Sequence, residues 1–475
     1  MLVVFAHTAA GQILKHFDPE WVEFSYPDGY RPSYNSYGIT VSPDGHIYWP
    51  VCDYDQTTLV RVEPTKPSFK TSEICRLTGV SEYSNPSVRA IQWYEDNLYV
   101  SGLYYNSPIA GSDVGFIACI SLTKKDTLWL SLVADSFYLS STFWDIAVDT
   151  SGVYACADGP ILCSYTHDGE RIWASGLGKK TVYACRSLVV DDSFLYVCGG
   201  LSANFPNDKS RACVLKFDKA NGVLVDSIFF DIHPDAFGAW IASYIIIKDR
   251  SLYVVGTSHH LNDSAIFAAK LSDALSINWY TEWNYAANSE GTGGCVDSAG
   301  RLWVSGNISS DTRRSMLLCF SHVGKLAYQG IWDVQYDAEI NSIAFANDKI
   351  IAAGGCWYVP PNVDPSVQQT AFLFMMNIPL LSGVQKGAKP SSYFRISPNP
   401  FEQKTVLTFD NCSDGVMYME VVNTLGKIML REEIVDIDGL QQYSADLSML
   451  VPGAYHIRLV CPADGWSATA TVVKL

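Results

Sequence analysis

The chain has 475 residues, of which 48% are apolar, 13% aromatic and only 17% charged. That is enough apolar surface to offset chain entropy, which excludes disorder, and too little Glu, Lys and Arg for a coiled coil. Thirty-three basic residues against 49 acidic ones give a net charge of −16 with no basic cluster to offset it, which excludes nucleic acid and anionic lipid as partners.

In chain order, residues 2–17 (LVVFAHTAAGQILKHF) read as two strands. The segment lacks the basic start and full-length apolar core of a secretory signal, so the true start is expected upstream. No apolar run reaches the roughly 18 residues that a membrane helix needs, so no transmembrane helix is expected.

A five-residue pattern then recurs: IYWPV at 47–51, LYVSG at 98–102, VYACA at 153–157, LYVCG at 195–199, LYVVG at 252–256, LWVSG at 302–306 and IIAAG at 350–354. Each copy follows a turn such as SPDG (42–45) or DSAG (297–300), whose Asp, Asn, Ser and Gly supply hairpin backbone angles. Before each turn stands another apolar segment: YGITV, RAIQW, DIAVD, SLVVD, YIIIK, GGCVD and SIAFA. Two further strands follow in most units, as in ILCSYTHDGERIW (161–173), the last often carrying Trp. Four antiparallel strands per unit, with no helical stripe between units, make a propeller blade. The small residues closing the second strand, Gly102, Ala157, Gly199, Gly256, Gly306 and Gly354, are expected where backbones approach closely. The units resemble bacterial propeller repeats that read "apolar strand, D-x-x-G, LYVxG, then a segment ending in Trp". The expectation for 1–381 is a seven-bladed β-propeller whose amino-terminal segment completes the last blade. The alternative is eight blades, with 2–17 as half of the eighth.

Composition shifts after Leu381. Residues 382–392 (SGVQKGAKPSS) read as a linker. Residues 393–475 alternate like the strands of a small immunoglobulin-like β-sandwich. Within them stand FRISPNPF (394–401), VVNTLGKIM (421–429), YSADLSMLVPGAYHIRL (443–459) and the terminal VVKL (472–475). In order and spacing these segments resemble the type A carboxy-terminal sorting domain of the type IX secretion system. The residues that carry the resemblance are Pro398, Asn399, Pro400, Gly426, Asp446, Leu447, Pro452, Gly453, Tyr455 and Lys474. It implies export of the chain to the outside or the outer-membrane surface of the cell, with the secretion machinery as partner.

The repeats themselves show no catalytic constellation. There is no H-E-x-x-H, G-x-S-x-G or P-loop, and no set of sialidase-type boxes. Asp53 and Asp55 form an isolated acidic pair. No metal site and no cofactor is expected, and catalytic residues are unassigned. Thirteen cysteines are scattered singly. They read as small buried hydrophobes, with a disulfide involving Cys156 and Cys163 as the alternative. Segments 103–114, 201–211, 257–264, 307–315 and 357–369 read as long loops on one propeller face, where binding tends to reside. Candidate ligand-face residues are Tyr104, Tyr105, His259, His260, Trp357 and Tyr358, together with Trp144 and Asp145 at the start of an inner strand. Two functions compete. One is a non-enzymatic propeller binding a glycan or protein. The other is a polysaccharide hydrolase or lyase with channel-mouth carboxylates such as Asp145 and Glu290.

Overall fold

A computed structural model gives the structure of the protein. In the propeller part it describes residues 15–16, 19, 21–25 and 37–378, apart from 53–55, 65–68, 80–84, 108–111, 134–141, 159–160, 177–183, 202–210, 231–240, 260–263, 285–287, 310–312, 333–336 and 357–369. In the tail it describes 394–474, apart from 398–400, 410–416, 424–427, 435–440 and 462–465. The chain divides into two compact units, 1–377 and 378–475.

The described residues of the first unit form seven consecutive sheets, a β-propeller. Blade 1 is Thr40–Val41, Ile47–Cys52, Gln56–Pro64 and Phe69–Thr78. Blade 2 is Asn85–Tyr94, Asn97–Ser107, Ser112–Ser121 and Asp126–Val133. Blade 3 is Phe143–Asp149, Gly152–Ala157, Ile161–Tyr165 and Arg171–Gly176. Blade 4 is Ala184–Val190, Phe194–Leu201, Arg211–Asp218 and Leu224–Phe229. Blade 5 is Ile241–Lys248, Ser251–His259, Ser264–Ser272 and Ile277–Trp283. Blade 6 is Asn288–Val296, Leu302–Ser309, Arg313–Phe320 and Leu326–Trp332, joined at its edge by Lys15–His16. Blade 7 is Ala338–Ala346, Lys349–Cys356 and Thr370–Asn377, completed by the amino-terminal strand Trp21–Ser25.

The ring therefore closes by a strand from the start of the chain, although that strand is 21–25 rather than the segment expected at 2–17, of which 2–14 and 17 lie outside the described residues. The seam is apolar: Ile47, Trp49 and Val51 of blade 1 pack with Ile351, Ala353 and Leu373 of blade 7. Each second strand is buried along most of its length, as in Ile47–Cys52 and Gly152–Ala157, because both of its faces meet neighbouring blades. This is why the LYVSG pattern is dominated by apolar and small residues.

In blades 2, 3 and 5 the Trp of the fourth strand pins the blade to the next. Nε1 of Trp129, Trp173 and Trp279 donates to the carbonyls of His167, Lys219 and His322, at 2.8, 3.2 and 2.9 Å. Each of those indoles also covers the turn glycine of the next blade, Gly169, Gly222 or Gly324, where a Cβ would stand 2.6–2.7 Å from the ring.

All eleven described cysteines are free. A Cys156–Cys163 disulfide is ruled out by register. Cys156 pairs with Leu162, and Cys163 with Ala155. The two thiols thus point to opposite faces of blade 3, Cys156 toward blade 4 and Cys163 toward blade 2. They serve as small apolar fillers.

The second unit has a three-stranded sheet (Phe394–Ser397, Lys404–Phe409, Gln441–Asp446) and a four-stranded sheet (Ile428–Ile434, Met417–Asn423, Gly453–Cys461, Trp466–Lys474). They share one core that includes Leu407, Met419, Val421, Leu447, Ile457, Leu459 and Val472.

Candidate functional site

Six of the seven inner strands carry the same irregularity. Their ladder to the second strand skips one residue: Arg89 in blade 2, Trp144 in blade 3, Arg186 in blade 4, Ser243 in blade 5, Thr292 in blade 6 and Asn341 in blade 7. These are β-bulges, in which the extra residue leaves the pleat and is re-aimed. In each blade the bulged residue lies four positions before the inner-strand residue that faces the first apolar residue of the second strand. The same count in blade 1, where Val41 faces Ile47, leads to Tyr37.

The small residue of the repeat stands directly opposite. Gly102, Ala157, Gly199, Gly256, Gly306 and Gly354 pair with Val88, Phe143, Cys185, Ala242, Gly291 and Ile340, each just before the bulge. A Cβ on Gly102, Gly199 or Gly354 would stand 1.9, 1.9 or 1.8 Å from the carbonyl oxygen of Ser87, Ala184 or Glu339. The bulge pushes that carbonyl into the space a side chain would need. Where the glycine stands, the bulge leaves no room for a Cβ, while blade 3 keeps the same bulge with Ala157 in that place.

The bulged residues converge on a cavity of about 520 Å³ at the end of the channel where the inner strands begin. The four from blades 1 to 4 form an alternating stack. The Arg89 guanidinium lies 3.9 Å from the Tyr37 ring centre and 5.1 Å from that of Trp144, and the Arg186 guanidinium lies 4.1 Å from Trp144. Such contacts are worth about 0.5–2 kcal/mol each, more as water is excluded. Arg89 Nη2 also donates to Tyr105 Oη at 2.8 Å, while Arg89 Nε is enclosed and has no hydrogen-bond partner. Blades 5 to 7 line the opposite side with neutral groups, including Ser243, Thr292 and Asn341, plus the Glu290 carboxylate.

Asp145, next to the bulge in blade 3, serves the ring. Its carboxylate accepts from Ile146 N (2.8 Å), Leu188 N (2.9 Å) and Ser187 Oγ (2.6 Å), and Ser187 Oγ in turn accepts from Ile245 N (3.3 Å). Blades 3, 4 and 5 are tied through this one side chain. Burial pushes its carboxyl up to about 6, outweighing the hydrogen bonds that pull it down. Burial also raises Asp158, opposed chiefly by the Arg186 charge.

The sequence-expected residues fare unequally. Trp144, Asp145 and Tyr105 come together at the cavity or its edge. Tyr104 does not. It is buried, 4.9 Å from Phe116 ring to ring, because the second strand continues to Ser107 where a long loop 103–114 was expected. The expected loops 257–264 and 307–315 shorten likewise, since their strands run to His259 and Ser309. His259 ends a strand. His260, Trp357, Tyr358, Asp53 and Asp55 lie outside the described residues. Arg89, Arg186 and Tyr37 were not singled out from sequence. Their signal is a fixed place in the repeat, the residue opening or just preceding each inner apolar segment. Among the described residues no group of three His, Cys, Asp or Glu side chains could hold a metal.

In the tail, the described motif residues gather around one turn. Lys474 is buried and its Nζ donates to the carbonyls of Leu447 (2.7 Å) and Ser448 (2.9 Å). Asp446 Oδ1 accepts from Ser448 N at 3.1 Å, Leu447 fills the core, and Tyr455 Oη donates to Val451 O at 2.8 Å. Pro452 is exposed and Gly453 opens the next strand. Pro398, Asn399, Pro400 and Gly426 lie outside the described residues.

No family model matches the chain, and no curated protein matches it. Among solved structures it is similar to virginiamycin B lyase from Staphylococcus aureus, at 14% identity and TM-score 0.47, over 74% of this chain and 99% of that one. It is also similar to BamB from Moraxella catarrhalis, at 8% and 0.40 over 71% and 95%. The WD40 propeller domain of Doa1 gives 9% and 0.45 over 73% and 96%. Nothing about the site follows from likenesses this distant.

Proposed function

We propose that the chain is a secreted or cell-surface β-propeller, exported through type IX machinery, that binds a glycan in its channel cavity. The observation that carries the binding reading is the convergence of Tyr37, Arg89, Trp144 and Arg186, one from each of four successive blades, on one cavity. Concave sites of roughly 300–1,000 Å³ suit ligands of a few rings, and aromatic and hydroxyl groups suit sugar faces and edges. A flat protein partner would need a broader surface. Hydrolysis by paired carboxylates fits less well, because Asp145 spends both oxygens on neighbouring blades and leaves Glu290 without a working partner. The test is a glycan array with the full chain, followed by calorimetry on Trp144→Ala. Capture of at least one saccharide, lost in the variant while the melting temperature holds, supports the reading. Capture that Trp144→Ala leaves intact moves the site elsewhere.

Export rests on the four tail segments that resemble the sorting domain, and on the bonds that gather the described residues of the last two around one turn. A reporter with a signal peptide, fused to 382–475, is expected to leave a bacterium that has the machinery and to stay inside when 468–475 are deleted. An intact, folded fusion stranded in the periplasm refutes the export reading.

A further inference from the structure

The stack of blades 1 to 4 has a consequence for which sugar fits. A guanidinium carries its five N–H donors in its plane, so covering its faces with aromatic rings leaves the donors at its edge. Arg89 and Arg186 are stacked in this way on Tyr37 and Trp144. Tyr105 takes one donor of Arg89, and its Nε is enclosed without a partner. Two cations packed over the same indole and partly out of water are costly unless an anion meets them.

The acids nearby do not fill that need. Asp145 is committed to the backbone of blades 3 and 4 and to Ser187. Glu290 stands on blade 6, in the field of Arg313. Arg313 itself is paired with Glu339. Asp158 lies in the field of both Arg186 and Arg89, and burial works against its ionisation. Among the described carboxylates lining the cavity, neither Asp145 nor Glu290 is placed to neutralise the two guanidiniums. The neutral half of the ring, with Ser243, Thr292 and Asn341, offers the complementary chemistry for hydroxyl groups.

We infer that the cavity selects an acidic saccharide, whose carboxylate or sulfate is held by the edges of Arg89 and Arg186 while blades 5 to 7 hold the ring hydroxyls. This rests on the glycan reading above. The arrangement favours a planar, bidentate anion over a point charge, because both guanidiniums are fixed in orientation by their stacking partners.

The experiment is calorimetry on the full chain with three probes: a galacturonate trimer, its fully methyl-esterified form, and a sulfated galactan oligomer free of carboxylates. The expected result is binding of the trimer, the sulfated oligomer or both, with the esterified trimer at least tenfold weaker. Which charged probe binds identifies the anion. Arg186→Gln is expected to weaken charged probes at least tenfold. Arg186→Lys should weaken them as well, because an ammonium neither stacks flat nor binds bidentately, and circular dichroism confirms the fold of both variants. Equal binding of the esterified and free trimers overturns the inference while the glycan reading stands, as does full affinity in Arg186→Gln. Failure of both charged probes also overturns it. The glycan reading falls separately, if no saccharide of any charge binds. The esterified comparison uses the unaltered chain, so it decides even if a variant does not fold.

Discussion

Two concentric rings of the propeller are built from adjacent residues yet behave oppositely. The outer one, at the end of the second strands, is almost constant: Gly102, Ala157, Gly199, Gly256, Gly306, Gly354. The inner one, made by the bulges it faces, changes from blade to blade: Arg89, Trp144, Arg186, Ser243, Thr292, Asn341. The first answers to backbone sterics, which every blade shares. The second lines a cavity, so each position is open to a different chemistry. A repeat can thereby keep one fold and still build an asymmetric site, cationic and aromatic on one side and neutral on the other.

The sharpest way to break the comparison is to put a side chain in the outer ring. Gly199→Ala would set a Cβ 1.9 Å from the Ala184 carbonyl oxygen, a backbone atom that cannot rotate away. Blade 3 carries Ala157 at this place with the same bulge; blade 4, built around Gly199, would have to shift its backbone to admit a methyl. A loss of about 3 kcal/mol or more is expected, read from urea unfolding of the full chain. Gly300→Ala is the control, with left-handed φ (+75°) but nothing within 4 Å, and should cost only about 1–2 kcal/mol. Equal losses at the two sites would remove the steric argument.

How much of this was legible in the sequence follows from the same division. The outer ring was readable, because a steric demand that recurs in every blade leaves the same residue at the same spacing. The propeller and its strand pairs were readable for that reason too. The inner ring was not, because Arg, Trp, Ser, Thr and Asn at one repeat position look unrelated until the bulge shows that they share a place. Tyr104 was misplaced because GLYYN reads as the start of a loop, whereas Leu103 and Tyr104 continue the buried strand alternation to Ser107. Lys474 was legible only as a motif residue near the chain end, because its two carbonyl partners come from a turn 26 and 27 residues away in sequence.

Asp145 sits between the rings and gives a second, pH-dependent test. Its folded pKa of about 6 lies above the 3.8 of an ordinary aspartate, so between these values the folded state binds more protons than the unfolded one. Stability from this group therefore falls as pH rises from about 4 to 6, and the penalty is complete above that. Two units correspond to about 3 kcal/mol at most. Asp145→Asn keeps an acceptor for Ser187 and Leu188 but cannot ionise. Its overall stability will be lower for the contact it loses at Ile146, yet its pH profile should lack the descent between 4 and 6. A variant profile parallel to that of the parent chain would mean that the three hydrogen bonds offset burial more fully than the raised pKa implies.

The smallest effect is expected in the inner ring itself, at Ser243. It is the bulged residue of blade 5, it lines the cavity, and it lies outside the ladder between Ala242 and Tyr244. The blade is held by its neighbours: Ala242 and Ile245 are buried, and Ile245 N is bonded to Ser187. Ser243→Ala should therefore change stability by no more than about 0.5 kcal/mol, as surface substitutions away from special features do. The same change removes a hydroxyl from the neutral half of the cavity, so it should lower affinity for a bound saccharide severalfold, by about 1 kcal/mol for one hydrogen bond to a neutral group. Paired measurements of unfolding and binding on this variant separate the two rings cleanly. Loss of binding with stability retained places function in the bulges and architecture in the residues behind them. A stability loss comparable to that of Gly199→Ala would mean that the bulged side chains also hold the blades together, and the distinction between the rings would fail.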